Sequence, residues 1–74
     1  MNKIKSVLLT KGLKQKWLAS QLGKSFNIVN GYVQNRHQPS LETLKRISEI
    51  LDVDVIELIE PTKRQKNTND AEIL

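Results

Sequence analysis

A glycine placed between two helical patterns is the feature that most constrains this chain. One amphipathic stretch begins at Gln15 and ends at Gly23, and a second starts two residues later and runs to Gln34. Glycine takes the positive φ that ends a helix, and the small Ala19 lets two helices cross closely. The pattern predicts a helix-turn-helix. Its inner faces are expected to be formed by Leu18, Leu22, Val29 and Tyr32.

Polar amides occupy the opposite face of the second of these helices. Asn27, Asn30 and Gln34 recur at spacings of three and four, so their side chains share one stripe of a helix. An amide presents a donor and an acceptor together, which suits the edges of base pairs in the major groove. The stripe therefore predicts contact with DNA bases.

Charge is divided unevenly along the chain. All eight acidic residues lie at or after Glu42, whereas seven cations and no acid precede it, so the first 41 residues carry about +7. Such a field would steer an anionic partner to the end of the molecule that holds the helix pair. A solvated basic surface would explain the same charges, but their coincidence with the helix pair favours a function.

Length and composition exclude several other classes of protein. A chain of 74 residues predicts one domain with a small core. The absence of cysteine excludes a disulfide framework and a thiolate metal site, and His37 alone cannot form an imidazole cluster. Neither a metal nor another cofactor is expected. No apolar run is long enough for a signal peptide or a membrane span, so we expect a cytoplasmic protein.

Further helices are predicted on both sides of the pair. The first helix is capped at Gly12, and its apolar residues are Ile4, Val7, Leu8 and Leu13. Ser25 is expected to cap the third helix, and Ser40, after Pro39, the fourth. The buried stripe of the fourth helix is expected to comprise Leu41, Leu44, Ile47, Ile50 and Leu51.

The carboxyl end is expected to hold a fifth helix and a tail. Asp54 and Glu57 have the spacing of a capping box, which predicts a fifth helix ending at Pro61. Residues 1–61 would form the domain and residues 62–74 a flexible polar tail. The tail is either a solubilising segment or a phosphate-binding arm with a partner contact. The residues that would serve the second use are Lys63, Arg64, Lys66, Ile73 and Leu74.

From about Ile4 to Ile59 the chain resembles the Xre/Cro-type helix-turn-helix family of bacterial and phage regulators. The resemblance implies an all-α, compact five-helix bundle of the phage-repressor-like type, DNA binding by the third helix in the major groove, and a twofold dimer on a palindromic operator. The motifs that carry the resemblance are Leu13, Gln15, Leu18-Ala19, Leu22-Gly23, Ser25 and Pro39-Ser40-Leu41-Glu42-Thr43-Leu44.

The resemblance also implies which residues touch DNA. The bases would be faced by Phe26, Asn27, Asn30 and Gln34. Gln15 and Ser25, at the starts of the second and third helices, would touch phosphates. When the basic and polar residues near them are added, the expected phosphate contacts are Lys14, Gln15, Lys16, Lys24, Ser25, Asn35, Arg36 and His37. For His37, plain exposure is an equal alternative. A short fifth helix cannot bury all its apolar residues against one small core, so Val55, Ile56 and Ile59 are the expected dimer interface.

Three departures from the family pattern carry predictions. Lys14 stands where a threonine or serine cap is usual, so the second helix should start less firmly. Leu8 and Val33 occupy the positions of an arginine and a glutamate that pair in many members, and their joint replacement predicts that they pack together. Gly31 lies inside the proposed recognition helix, where glycine costs about 1 kcal/mol relative to alanine.

Three uses of Gly31 can be distinguished. The preferred one is that a missing side chain lets the helix approach the groove closely, and a fit beside a neighbouring helix is the second. The third is a hairpin turn at Asn30-Gly31, which would destroy the site. The flanking residues are too few and too poorly alternating for paired strands, which disfavours the turn.

Two functional hypotheses follow from the sequence. The first is a sequence-specific DNA-binding transcriptional regulator, and a repressor, because the second helix carries Lys16 and no acidic residue that could contact polymerase. The second is an antitoxin-like or accessory module, in which the acidic fourth and fifth helices bind a protein and DNA contact is secondary. An enzyme is not expected, because no set of residues supplies a nucleophile, a base and an oxyanion stabiliser.

Overall fold

The computed structural model describes residues 1–60, and within them the fold is all-α. The four α-helices are α1 (Ile4–Lys11), α2 (Gln15–Leu22), α3 (Phe26–Val33) and α4 (Leu41–Leu51). A short 3-10 helix, Val55–Leu58, follows α4. In this part of the chain no helix is long and apolar enough to cross a membrane.

Local sequence signals account for most of the helix ends. Gly12 and Gly23 terminate α1 and α2 with φ of 67° and 70°, as the positions of these glycines predict. At the start of α3 the hydroxyl of Ser25 accepts a hydrogen bond from the Ile28 amide at 3.2 Å. The hydroxyl of Ser40 does the same for Thr43 at 3.1 Å, and so begins α4. These caps were all expected from residue type and spacing.

The fifth helix was predicted wrongly, because the structure has a single 3-10 turn in its place. The capping box of Asp54 and Glu57 is present, and the Asp54 amide donates to the Glu57 carboxylate at 3.3 Å. The backbone then becomes extended at Ile59, which pairs with Asn2 in an isolated antiparallel bridge. Pairing with the amino-terminal segment therefore replaces helical continuation at Ile59, two residues before Pro61, which lies outside the described residues.

One cluster of apolar side chains forms the core between the helices. α3 packs on α2 and α1, and α4 packs on α2 and on the 3-10 helix. The buried apolar residues are Ile4, Leu8, Leu18, Ala19, Leu22, Val29, Tyr32, Val33, Leu44, Ile47, Leu51 and Leu58. All four inner-face residues of the predicted helix pair are among them, so the sequence placed α2 and α3 correctly.

Leu41 is an exception to the predicted stripe of α4. It is 68% exposed, whereas Leu44, Ile47 and Leu51 are buried and Ile50 is partly buried. Leu41 is the first residue of α4, one turn before Leu44. Helical spacing identifies the face on which a residue lies, but it does not show whether another element covers that end of the helix.

Leu8 and Val33 are both buried and line the same cleft between α1 and α3. Their placement agrees with the prediction that two apolar residues occupy the positions of an ion pair. α3 is continuous through Asn30 and Gly31, which rules out the hairpin turn. The predictions for residues 62–74, including Lys63, Arg64, Lys66, Ile73 and Leu74, lie outside the described residues.

Candidate nucleic-acid interface

The outer face of α3 presents the amide stripe to solvent. Asn27 is exposed, Asn30 is partly buried, and Gln34, the residue that follows the last turn, is exposed. On the other side of the helix Val29 and Val33 are 0% and 2% exposed. Docking on α2 and α1 therefore fixes which face of α3 is free, and the three amides lie on it or at its edge.

Phe26 lies at the start of the same helix and is 48% exposed. It lines a cleft of about 390 Å³ that also contains Lys14, Gln15 and Lys16 from the beginning of α2. The structure thus brings the expected base contact Phe26 together with three expected phosphate contacts. The remaining lining residues are Lys5, Leu8, Leu9, Leu13 and Val33.

The first turn of α2 has no side-chain cap. Lys14 has the extended backbone of a cap residue, with φ of −100° and ψ of 151°, but makes no capping hydrogen bond. The prediction that α2 starts less firmly is confirmed in this respect. The side-chain amide oxygen of Gln15 is buried, and no group within residues 1–60 donates to it. The start of α2 therefore has unused hydrogen-bonding capacity next to Phe26.

Between α2 and α3, Lys24 is partly buried and Ser25 is exposed. The Lys24 amide donates to the Ala19 carbonyl at 3.1 Å, which closes the turn after Gly23. Ser25 uses its hydroxyl as the cap of α3, so its oxygen already accepts one intramolecular hydrogen bond.

The loop after α3 is held by its own polar groups. Asn35 adopts φ of 59°, a left-handed conformation that asparagine tolerates better than most residues. Its side-chain oxygen accepts from the Asn2 amide at 2.9 Å and from the Gln38 amide nitrogen at 3.0 Å. Its side-chain nitrogen donates to the Asn2 carbonyl at 3.2 Å, which leaves its second N–H without a partner within residues 1–60. Arg36 and His37 are exposed.

Gly31 does not face outward, contrary to the preferred sequence interpretation. It is buried, and a Cβ added to it would lie 3.0 Å or less from atoms of the His37 ring. The missing side chain makes room for His37, which folds back from the loop, rather than for a groove of DNA. A structural use of Gly31 was the second alternative, although the neighbour is a loop residue and not a helix.

One residue of this region was missed in the sequence. Asn2 is 7% exposed and is hydrogen-bonded to both Asn35 and Gln38, which lie more than 30 residues away in the chain. No local pattern marks such a contact, since Asn2 precedes the first helix and has no periodic partner.

The expected dimer residues lie elsewhere. Val55 packs against the core, while Ile56 and Ile59 are 69% and 43% exposed.

Comparison with known proteins agrees with this architecture. A crystal structure of a "putative DNA-binding protein" from Bacteroides fragilis is similar to the chain, with a TM-score of 0.80 and 43% sequence identity. The similarity covers 81% of this chain and 97% of that one. No curated protein shows significant similarity. The helix-turn-helix family model matches residues 4–58, which span α1 to the 3-10 helix. This chain belongs to the Xre/Cro-type helix-turn-helix family.

Proposed function

We propose that the protein is a sequence-specific binder of double-stranded DNA that regulates transcription, with α3 in the major groove. The observation that carries the proposal is the placement of the amide stripe. Asn27 and Gln34 are exposed on a helix whose opposite face is fully packed, and Phe26 joins that helix to a cleft bordered by lysines. The similar protein from Bacteroides fragilis is described in terms of DNA binding, which supports the same conclusion.

The dimensions of α3 suit the groove. An α-helix with its side chains is about 10 to 12 Å in diameter, comparable to the width of the major groove of B-DNA, so α3 can enter it. Asn27 and Asn30 would each offer a donor and an acceptor to one adenine, and Phe26 would lie against a thymine methyl group. The bases read by the stripe are therefore expected to include A·T pairs.

Phosphates would be held on both sides of α3. The uncapped first turn of α2 leaves backbone amides available, and the amino end of a helix attracts anions. Lys14, Gln15 and Lys16 surround this turn, and Lys24 and Ser25 begin α3. Beyond α3, the other strand would be reached by Arg36, His37 and the second side-chain N–H of Asn35. These contacts would set the register of α3 without reading sequence.

A twofold dimer on a palindromic operator would double these contacts. Ile56 and Ile59 expose apolar surface at one end of the domain, and Val55 lies beside them in the same turn. Contact between two such surfaces would place two copies of α3 on one duplex. We infer repression because α2 carries Lys16 and no acidic side chain, so bound protein would obstruct polymerase rather than recruit it.

A second function is favoured by a different surface. Leu41 is 68% exposed and lies in a groove of about 580 Å³. The groove is also lined by two acidic and two basic residues, Glu42, Glu49, Lys45 and Arg46. An exposed apolar residue framed by charges of both signs would suit a protein partner, as in an antitoxin-like or accessory module with secondary DNA binding. Such a module should co-purify with a neighbouring protein and should bind all duplexes equally.

Selection of duplexes from a random pool tests the proposed function. We expect enrichment of one motif with twofold symmetry, and tight binding of that duplex in titration. Placement of the motif over a promoter should lower reporter expression when the protein is present. A pool that shows no enrichment after repeated rounds would overturn the proposal.

A further inference from the structure

Asn2 is an asparagine whose polar groups are all used inside the protein. Its side-chain nitrogen donates to the Tyr32 carbonyl at 2.9 Å and to the Gln38 side-chain oxygen at 2.8 Å. Its side-chain oxygen accepts from the Ile4 amide at 3.1 Å. Its backbone amide and carbonyl both bond the side chain of Asn35. Full pairing of a buried polar residue fixes its position and that of its partners.

These hydrogen bonds join three places in the fold. The Ile4 amide begins α1, the Tyr32 carbonyl belongs to the last turn of α3, and Gln38 and Asn35 lie in the loop after α3. The segment that carries Asn2 is itself anchored, because the Lys3 amide donates to the Leu58 carbonyl at 2.8 Å and the Glu60 amide to the Met1 carbonyl at 3.1 Å. The loop after α3 is therefore tied to a fixed point outside the helix pair.

We propose that Asn2 is a positioning residue for DNA recognition, which sets the loop of residues 35–38 and the end of α3 in the conformation that reads sequence. The inference rests on the proposed DNA binding. Asn2 itself is 7% exposed and would touch no base or phosphate. Its side chain acts through the Tyr32 carbonyl and through Gln38, and Gln38 in turn donates to the side chain of Asn35, the left-handed residue of the loop.

The geometry explains why this loop needs an external support. The Asn35 amide donates to the Tyr32 carbonyl at 3.0 Å and the Arg36 amide to the Gly31 carbonyl at 2.9 Å. The His37 ring packs on the same two residues, so these contacts all fall on the last turn of α3. Gln34 directly precedes the loop and belongs to the amide stripe. If the loop shifts, Gln34 and Arg36 shift with it, and base contacts depend on position far more than phosphate contacts do.

The substitution Asn2→Ser separates this role from helix capping. A serine hydroxyl is an effective acceptor for a backbone amide at a helix start, so the bond from Ile4 has a replacement. The shorter side chain cannot reach both Tyr32 and Gln38. Ile47→Val is the control, because Ile47 is a buried core residue of α4 that makes none of these hydrogen bonds. Both variants are compared at a temperature at which circular dichroism shows them folded.

Binding is measured to the selected duplex and to a random duplex of equal length. We expect Asn2→Ser to lose about tenfold in affinity for the selected duplex and to stay within about twofold of the wild type on the random one. Ile47→Val should retain the wild-type ratio of the two affinities. Equal losses on both duplexes, or an unchanged ratio in Asn2→Ser, would overturn the inference while leaving the proposed function intact.

Amide hydrogen exchange gives a second readout that does not depend on DNA. Exchange at Arg36 should be faster in Asn2→Ser than in Ile47→Val, since release of the loop exposes its bond to Gly31. Unchanged exchange at Arg36 would also overturn the inference. A wild-type protein that binds no duplex in preference to another would instead overturn the proposed function.

Discussion

The imidazole of His37 lies over Gly31 and meets the ring of Tyr32 edge-on. The two ring centroids are 5.3 Å apart and the ring planes make an angle of 81°, which is a favourable arrangement for aromatic groups. A helix interior would ordinarily disfavour glycine, but here a larger residue would displace the imidazole. The composition of α3 is thus adapted to the loop that follows it.

This contact predicts that Gly31 and His37 are coupled in stability. Gly31→Ala should gain nothing or destabilise the wild type, because the added methyl group expels the His37 ring. In a His37→Ala background the same change should stabilise by about 1 kcal/mol, which is the difference in helix propensity. Urea unfolding of the four proteins gives the double-mutant cycle. Equal effects of Gly31→Ala in both backgrounds would contradict the predicted coupling.

The missing cap of α2 predicts a stabilising substitution. Lys14 already has the backbone conformation of a cap residue but no capping side chain, so Lys14→Ser should raise the free energy of unfolding by about 1 kcal/mol. Lys16→Ser removes the same charge inside α2 and serves as the control, since it cannot cap. Thermal unfolding of both variants checks the prediction, and similar midpoints would refute it.

Lys14→Ser should also weaken DNA binding although it stabilises the fold. The side chain that is lost lies in the cleft beside Phe26, where a phosphate is expected. Affinity should fall to a similar extent on selected and random duplexes, because a phosphate contact carries no base identity. A gain in both stability and affinity would show that Lys14 lies away from the DNA.

Salt dependence should reveal the phosphate contacts individually. The logarithm of the binding constant is expected to fall linearly with the logarithm of salt concentration, with a slope of about 0.9 per contact. Lys16→Ala or Arg36→Ala should lower that slope by about one contact. Lys11→Ala is the matched control, because Lys11 lines a different groove with Val53 and Glu57 and should leave the slope unchanged. A flat salt dependence in the wild type would be incompatible with the proposed binding mode.

Specificity should depend on the exposed amides of α3. Asn27→Ala is expected to cost about 1 to 3 kcal/mol on the selected duplex and much less on random DNA, since the phosphate contacts survive. Asn30→Ala should behave similarly. Gln21→Ala removes an exposed amide from α2 and should change neither affinity. If Asn27→Ala weakened both duplexes equally, α3 would only position the protein, and the loop of residues 35–38 would be the reading element.

Assembly is predicted to depend on the exposed isoleucines near the 3-10 helix. Ile56→Lys should shift the protein towards monomer in sedimentation and reduce binding to the selected duplex, because two half-sites can no longer be occupied together. Leu41→Lys is the control, because Leu41 is 68% exposed and Ile56 is 69% exposed. This variant should leave the sedimentation of the protein unchanged. A wild type that remains monomeric at high concentration, with Ile56→Lys binding DNA normally, would exclude this interface.

The features predicted correctly from the sequence are those decided within one turn of the chain. Gly23 ends a helix because of its own backbone, and Ser25 caps one through an amide three residues away. Helical spacing then identified the buried faces of α2 and α3. The expected contacts of Asn27 and Phe26 follow from the same spacing and from family resemblance, and they stay predictions.

The features predicted wrongly or missed depend on contacts between distant segments. Leu41 has the spacing of a core residue but is 68% exposed at the first position of α4. The fifth helix has its capping box, yet the chain extends at Ile59 because Asn2 is there to pair with it. The position of His37 over Gly31 is set by a loop whose conformation depends on Asn2. None of these partners can be identified before the fold is known.

The shortness of α3 has a consequence for how recognition can fail. With eight residues, α3 is below the length of about 12 to 15 residues at which an isolated helix persists in water, and so are α1 and α2. A peptide containing only Phe26–Val33 would have no fixed face to offer a groove. The surface proposed to read bases exists only while the whole domain is folded. Conditions that unfold the core are therefore expected to abolish DNA recognition together with the fold and to leave no partly active state.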